Sequence, residues 1–232
     1  MKVQIWSDFV CPFCYIGKRH LTQAINELGE DIEIEMMSYE LDPHYVDQPG
    51  LDIHQTLANK YGSSYEEAKA NNDYSAKMAA EVGLVYNHDT MKYSNTFKAH
   101  KLFQKSKEIG QGNEFAERVL KAFFTDGDYI NDEKTLIRLA KEVGINEEEA
   151  HHVLNSDEYS LKVRQDEQWA RTINAKGAPH FVIDDKVSVS GAQPVEVFKS
   201  AINHVKQLNE TQELMDQATA GMMCTDESCS VE

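Results

Sequence analysis

Two cysteines separated by two residues lie near the start of the chain, in the stretch SDFVCPFCYIGK. Cys11 and Cys14 could hold a metal ion, form a structural disulfide or work as a redox pair. A disulfide that closes so short a loop restricts the unfolded chain very little, which argues against a purely structural role. A zinc site needs four ligands, and the second cysteine pair available for one is Cys224 and Cys229, spaced as C-x4-C near the C-terminus.

The redox interpretation accounts for more of the residues around the motif. A helix that begins here would place Cys11 at its N-terminus, where unpaired N–H groups and the helix dipole favour a thiolate. Cys14, one turn further on, would then attack a mixed disulfide on Cys11 and release the partner. Pro12 suits the first turn, because its missing N–H would have had no partner there. The motif therefore predicts a nucleophile and a resolving cysteine.

The segments on either side of the motif predict an α/β fold. Residues 2–6 alternate apolar and polar side chains as a strand does. Apolar side chains then recur at helical spacing as far as residue 28, with Gly29 as the stop, and residues 31–41 return to the alternation. This order is typical of a βαβ unit, whose two strands are parallel.

The rest of the chain divides into a helical middle and a second stretch of strands. Residues 51–174 contain about half a dozen segments with helical periodicity and no convincing strand, which predicts an inserted helical subdomain. The strand pattern returns in residues 178–184 and 186–191, and a pair of aspartates between them predicts a hairpin. An amphipathic helix over residues 195–208 then leads into a polar tail.

Pro179, in the stretch KGAPHFVID, begins one of these strands although a proline cannot donate to a sheet. A cis peptide bond in a tight turn would explain its position, and an ordinary trans proline at a strand edge is the alternative. The order of strand, C-x-x-C motif, helical insertion and proline-initiated strand resembles the DsbA branch of the thioredoxin fold. The stretches SDFVCPFCYIGK, NTFKAHKL and VSGAQPVEVF resemble the cytoplasmic FrnE-like oxidoreductases of the DsbA family.

This resemblance implies a thioredoxin-like α/β fold with an inserted α-helical subdomain. Residues 1–50 and 175–210 would form a discontinuous thioredoxin-like domain, residues 51–174 the helical insertion, and residues 211–232 a polar tail.

The resemblance also implies roles for single residues. Pro179 would be cis and pack against the active-site disulfide, and the peptide between Ala178 and Pro179 would hydrogen-bond a substrate as an added strand. Cys11 would be the nucleophile and Cys14 the resolver. His180, which follows the proline, is a candidate for tuning Cys11.

Phe13 stands where the periplasmic oxidant DsbA has a histidine. Because a neutral phenyl ring cannot stabilise a thiolate as an imidazole can, we expect a less oxidising pair than in that enzyme. The implied substrates are protein or small-molecule disulfides or thiols, with glutathione or thioredoxin as electron partner. No organic cofactor is expected, because the two thiols supply the electrons.

Cys224 and Cys229 are either an accessory redox pair for Cys11 and Cys14 or reactive thiols without a role. Two functions of other classes also remain open. A glutathione-dependent isomerase or transferase of the kappa-class and hydroxychromene carboxylate isomerase type would share the fold, but such enzymes typically lack the second cysteine and place serine at the nucleophile position. A zinc-binding module would use the four cysteines as ligands.

Composition excludes further classes of function. The formal net charge of -16 argues against a nucleic-acid partner, and no apolar stretch approaches the ~20 residues that span a bilayer. The N-terminus lacks a signal-peptide pattern, so we expect a cytoplasmic protein. No G-x-S-x-G, P-loop or G-x-G-x-x-G stretch is present.

Overall fold

The computed structural model of the chain describes residues 1–48 and 50–222. Within these residues, four strands form one sheet, which nine α-helices and one π-helical turn surround. The strands are β1 Lys2–Ser7, β2 Glu33–Ser38, β3 His180–Ile183 and β4 Val187–Ser190. The helices are α1 Pro12–Leu28, α2 Ile53–Tyr61, α3 Tyr65–Glu81, α4 Phe97–Glu108, α5 Gly112–Lys121, α6 Glu133–Glu142, α7 Glu147–Asn155, α8 Asp157–Thr172 and α9 Val195–Met222, and the π-helical turn is Ala122–Asp126.

The strand order in the sheet is β2-β1-β3-β4. β1 runs parallel to β2, and β3 runs antiparallel to both β1 and β4. The predicted βαβ unit and hairpin are therefore confirmed. Because Trp6 on β1 pairs with His180 on β3, the end of β1 lies beside the start of β3. The loop that leaves β1 and the loop that enters β3 therefore lie next to each other at the same end of the sheet.

Local backbone preferences set the ends of two of these elements. α1 ends at Gly29, whose φ of 67° is left-handed and which closes the last turn through its N–H. The hairpin turns through Asp184 and Asp185, with φ of 50° and 56°. Two successive left-handed residues are the geometry of the tight turn that suits the twist of paired strands.

The sheet separates two cores. Val3 and Ile5 contribute to the main core, which continues through α1, α9 and the helical insertion. Trp6 and Val182 point to the other face, where they pack against Ala170 of α8. α8 of the helical insertion therefore covers this second face of the sheet.

α1 lies very close to the sheet at Gly17. A Cβ atom at this position would come within 3.0 Å of Phe181 Cζ and 3.3 Å of Ala192 Cα. On its outer side, α1 is joined to α5 by Glu117, which accepts hydrogen bonds from Tyr15 and Lys18. The helix that carries the C-x-x-C motif is thus fixed from two sides.

Four large apolar residues of the helical insertion belong to the core. The side chains of Leu102, Phe103, Phe123 and Phe124 are each at most 2% exposed. They join the main cluster that includes the sheet residues. Burial on this scale stabilises the fold by roughly 1.5–3 kcal/mol for each such side chain.

The predicted end of the last helix is wrong. α9 continues to Met222 rather than ending near residue 208, so part of the predicted polar tail is helical. Beyond Asn209, which bonds Asp184 on the sheet, the described side chains are exposed. Pairs such as Gln212 with Asp216 and residues of high helix propensity support this stretch without an apolar stripe.

No helix within residues 1–48 and 50–222 combines the length and the apolar character that crossing a bilayer requires.

Candidate active site

Cys11 occupies the N-cap position of α1, after the loop that leaves β1. Its N–H donates to the Asp8 carbonyl oxygen over 3.2 Å, and its own carbonyl oxygen accepts from the Cys14 N–H over 3.1 Å. Pro12 is the first helical residue, and no acidic side chain lies in the first turn. The positive end of the helix dipole therefore acts on Cys11 without a competing negative charge from the same turn.

Both cysteines are free thiols, and Cys11 is 3% and Cys14 1% exposed. Burial raises the pKa of Cys14 well above its usual value, and a hydrogen bond with Cys11 and the negative charge of Cys11 raise it further. The Ser7 side chain and the Asp8 backbone oppose this rise. Cys14 is therefore protonated near neutral pH.

The loop before β3 brings Ala178 to Cys11. Cys11 Sγ lies 3.5 Å from the Ala178 carbonyl oxygen, although the two residues are 167 positions apart in the chain. The Ala178–Pro179 peptide bond is cis, as the resemblance implied. The Pro179 carbonyl oxygen accepts from the Gly191 N–H over 2.9 Å, which joins this loop to the end of β4.

The structure does not bring the His180 side chain to the cysteines. His180 shares its side of β3 with Val182, and its ring lies 6.4 Å from the Trp6 ring, on the sheet face opposite α1. Its Nδ1 lies 3.0 Å from Ser190 Oγ, and burial lowers the pKa of the imidazole. A role for His180 in tuning Cys11 stays a prediction that this geometry does not favour.

A cavity of about 630 Å³ lies against the motif. Cys11, Pro12 and Ala178 form part of its wall, and so does Phe13, which is 39% exposed. Side chains of α2 and α3 form much of the remainder. The cysteine pair is thus open to a space that the helical insertion encloses.

Tyr86 belongs to this site, although no motif in the sequence singled it out. Its hydroxyl donates to the Pro12 carbonyl oxygen over 2.7 Å, and its ring stacks on Phe124 at 4.3 Å. Burial, together with negative charge on the two cysteines, raises the pKa of this tyrosine. The contact joins positions 74 residues apart, so no local pattern could have revealed it.

Asp8 and His100 form a second buried feature that sequence analysis missed. Both side chains are 1% exposed, and His100 Nε2 lies 3.4 Å from Asp8 Oδ1. The other carboxylate oxygen of Asp8 accepts from the Leu41 N–H over 2.7 Å. Since Asp8 also holds the Cys11 N–H through its carbonyl oxygen, this pair fixes the loop that carries the motif. His100 lies in NTFKAHKL, a stretch used only for the family resemblance.

Cys224 and Cys229 lie outside the described residues. In the part of the chain that the structure describes, no three His, Cys, Asp or Glu side chains form a group suited to a metal ion.

Comparisons with known proteins identify a family and a relative of similar length. The sequence model of the DSBA-like thioredoxin domain matches residues 2–203. The uncharacterized protein YwbO of Bacillus subtilis (strain 168) is 31% identical over 204 residues, which cover 88% of this chain and 96% of YwbO.

Two solved structures share the fold. A probable DsbA oxidoreductase from Streptomyces coelicolor has a TM-score of 0.83 at 36% identity. The match covers 88% of this chain and 89% of the oxidoreductase. A 2-hydroxychromene-2-carboxylate isomerase has a TM-score of 0.69 at 18% identity. The match covers 91% of this chain and 99% of the isomerase. The predicted thioredoxin-like α/β fold of DsbA type is confirmed.

Proposed function

This chain belongs to the DSBA-like thioredoxin domain family, and on that premise we propose that it is a thiol–disulfide oxidoreductase or isomerase working through Cys11 and Cys14. The observation that carries the proposal is the asymmetry of the pair. Cys11 caps the N-terminus of α1, whereas burial and the charge of Cys11 keep Cys14 protonated. This difference matches the needs of a leading nucleophile and a later resolver.

The proposed reaction transfers two electrons by two exchanges of sulfur bonds. The Cys11 thiolate attacks a substrate disulfide, forms a mixed disulfide and releases the first substrate sulfur as a thiolate. Cys14 loses its proton and attacks Cys11 Sγ, which releases the second substrate sulfur. The substrate is then reduced to two thiols and the protein is oxidised to a Cys11–Cys14 disulfide. Reversal of these steps would oxidise a dithiol substrate.

The neighbouring loops have positioning roles in this proposal. Pro12 and Phe13 shape the turn around the sulfurs, and the backbone at Ala178 and Pro179 receives the substrate. The Ala178 carbonyl oxygen supports this role, because it lies 3.5 Å from Cys11 Sγ. The two thiols supply the electrons, so the proposal needs no organic cofactor. Glutathione or thioredoxin would restore the pair, and FrnE-like membership and a cytoplasmic location belong to the same proposal.

The rival function is a glutathione-dependent isomerase or transferase. The likeness to the hydroxychromene carboxylate isomerase supports only a shared fold at this identity. A cysteine at position 11 and a second at position 14 favour redox chemistry, because an isomerase of that type needs no resolving thiol.

Cys224 and Cys229 are proposed as an accessory pair that exchanges with Cys11 and Cys14. A mixed disulfide between the two pairs, found by alkylation and mass spectrometry after partial oxidation, would support this role. Zinc retained through dialysis would instead support the zinc-binding module, because four thiolates would hold the ion.

Trapping of the mixed disulfide tests the assigned order of the two cysteines. We expect Cys14→Ser, incubated with glutathione disulfide, to gain one glutathione on Cys11, because the resolver is missing. Cys11→Ser should gain none on Cys14 under the same conditions. Both variants carry Cys224→Ser and Cys229→Ser, so that only the assigned pair can react. The reverse pattern of adducts would contradict the assignment.

A further inference from the structure

The cavity beside Cys11 is enclosed mainly by aromatic and aliphatic side chains. Tyr61, Tyr93, Phe123 and Phe124 belong to its wall. Its volume of about 630 Å³ is within the range of sites that bind whole small molecules. A single side chain of a protein substrate would leave most of this space unfilled.

No Lys, Arg, Asp or Glu side chain of the described residues lines this cavity. His88 is its one ionisable imidazole, and burial together with the nearby His54 lowers the pKa of His88, which favours the neutral ring. Lys60 lies behind the wall, where its Nζ donates to Tyr93 over 2.6 Å and pairs with Asp42 at 3.0 Å. A charged ligand would therefore lose its hydration without gaining a partner of opposite charge.

The cavity has a polar side as well. Asn72 lines it and has its side-chain nitrogen 2.9 Å from His54 Nδ1. The His88 ring contacts His54 and Tyr86, but its two nitrogens have no hydrogen-bond partner within residues 1–48 and 50–222. Its ring nitrogens can bind a hydroxyl or carbonyl group of a ligand. The lining thus suits an apolar body with one uncharged polar group.

Access to Cys11 favours the same kind of substrate. Cys11 is only 3% exposed, so little of it can be touched by the surface of a large protein. The residue lines the cavity, and a molecule bound there would contact the sulfur from inside. A peptide strand added at Ala178 would contact one part of the wall and would leave most of the cavity unfilled.

We propose that this cavity binds an uncharged aromatic small molecule and presents its disulfide to Cys11. The inference rests on the proposed function and adds the substrate class. Cys11 attacks the bound disulfide and releases one aromatic thiolate, and Cys14 then releases the second as the Cys11–Cys14 disulfide forms. The ligand gains two electrons that the cysteines lose, and a thiol such as dithiothreitol restores the pair. Glutathione disulfide, with its carboxylates and ammonium groups, is a poor occupant of this cavity.

Stopped-flow oxidation of the reduced Cys224→Ser/Cys229→Ser protein tests the substrate class. The uncharged reagent is dipyridyl disulfide, and its charged counterpart is dithiobis(nitrobenzoate), which carries a carboxylate on each ring. Each rate constant is divided by that of the same reagent with N-acetylcysteine, which removes differences in intrinsic reactivity. High salt screens the net negative charge of the protein. We expect a normalised preference of ~10-fold or more for dipyridyl disulfide, the scale at which a fitted pocket discriminates.

A charge placed in the wall should reverse this preference. Leu57 lines the cavity from α2, and Leu57→Arg should slow dipyridyl disulfide and speed dithiobis(nitrobenzoate). Asn59→Arg is the matched control, because Asn59 is exposed on the same helix and lies outside the cavity. This variant should change neither of the two normalised rates. Should Leu57→Arg fail to fold, competition in the unmutated cavity decides. Diphenyl sulfide, which is uncharged and has no disulfide, should then slow dipyridyl disulfide competitively.

Equal normalised rates for the two reagents, or no protection by diphenyl sulfide, would overturn the inference. A faster normalised reaction with a peptide disulfide would overturn it in favour of a polypeptide substrate. If the pair is oxidised by these reagents and restored by dithiothreitol without any preference, only the substrate class fails. If no reagent oxidises the pair, the proposed function itself fails.

Discussion

Cys11 and Cys14 have the same side chain but different surroundings. Cys11 lies at the positive end of α1, next to the Ala178 carbonyl oxygen. Cys14 lies inside the first turn, where burial raises its pKa. Ser7 and the Asp8 backbone act in the opposite direction on this pKa, and they would stabilise the charge that forms when Cys14 loses its proton. The division of labour between the cysteines thus follows from a few contacts.

The raised pKa of Cys14 leads to a selective alkylation pattern. Iodoacetamide reacts with thiolates, so we expect it to modify Cys11 and leave Cys14 unmodified at pH 7. Modification of Cys14 in a Cys11→Ser variant should become appreciable only at alkaline pH, because its thiol remains protonated below that range. Peptide mass spectrometry after brief labelling measures both sites. Equal labelling of Cys11 and Cys14 at pH 7 would contradict the assignment.

Phe13 sets the expected strength of the pair as an oxidant. The ring is partly exposed and lies between the cysteines in the sequence, so a new side chain there can act on the thiolate. Phe13→His should raise the reduction potential by tens of millivolts, since an imidazole stabilises the reduced, thiolate form. Phe13→Leu, which stays apolar, is the control. An unchanged or lower potential in Phe13→His would show that this position does not set the potential.

Sequence analysis identified the site residues that belong to a local motif. It missed the residues that only the fold brings into contact with that motif. The C-x-x-C spacing and the proline-initiated strand pointed to Cys11, Cys14 and Pro179. Tyr86 and His100 reach the site from the helical insertion, at positions that only the fold brings near the motif. The orientation of His180 depends on which side of β3 faces α1, and that follows from the sheet register.

The elements that position the site were predicted where a repeating pattern or a turn residue marked them. β1, β2 and the hairpin followed from alternation, and the end of α1 followed from Gly29. The end of α9 was missed because the described side chains beyond Asn209, to residue 218, form no buried apolar stripe, and periodicity alone detects only stripes. The match to the family also stops at residue 203, before this extension.

The π-helical turn ends at Gly127, where two constraints coincide. Its φ of 72° is left-handed, and a Cβ there would come within 2.6 Å of Thr90 Cβ and Oγ1. Gly62 also has a left-handed φ, of 67°, but a Cβ there would meet nothing within 4 Å. We expect Gly62→Ala to lower the free energy of unfolding by about 1–2 kcal/mol. Gly127→Ala should cost a further ~1–3 kcal/mol, because the methyl group overpacks against Thr90.

Urea unfolding of the two alanine variants measures this difference. Thr90→Ala combined with Gly127→Ala should recover part of the extra cost, because it shortens the side chain that the methyl group meets. Equal destabilisation by Gly62→Ala and Gly127→Ala would show that the Thr90 contact is relieved without cost.

The whole molecule combines the thioredoxin-like unit and the helical insertion through a shared core. Buried residues of the sheet and of the insertion belong to one hydrophobic cluster. The insertion also supplies Tyr86 and His100 to the site, together with much of the cavity wall. The domain boundaries at residues 50/51 and 174/175 stay a prediction, and the continuous core leads us to expect that the two parts unfold together.

Glu35 is a charged link between these parts. Burial acts to raise the pKa of its carboxyl, but hydrogen bonds from Lys2 and Gln4 and the charge of Lys107 on α4 lower the pKa to about 2. This folded-state value lies below the unfolded value of ~4.3. The carboxylate therefore contributes its full stabilisation at pH values above the unfolded-state pKa. This contribution is lost as the pH falls towards the folded-state pKa of about 2.

Glu35→Gln should reduce the free energy of unfolding at pH 7 by about 1–3 kcal/mol, and the difference from the unmutated protein should shrink steadily below pH ~4.5. Glu33→Gln is the matched control, because Glu33 is exposed on the same strand. Urea unfolding at several pH values measures both variants. A difference that stays constant down to pH ~2.5 would contradict the role assigned to the Glu35 carboxylate.

The measurement that tests the central claim most directly is the reduction potential of the Cys11–Cys14 pair. The protein is equilibrated with glutathione buffers of graded ratio, and free thiols are counted by alkylation and mass spectrometry. Cys224→Ser/Cys229→Ser isolates the pair, and Cys11→Ser is the inactive control. We predict reversible loss of two thiols, with a potential between about -270 and -120 mV, the span of thioredoxin-fold oxidoreductases. A pair that shows no reversible oxidation across the whole series would contradict the assignment of this protein as a thiol–disulfide oxidoreductase.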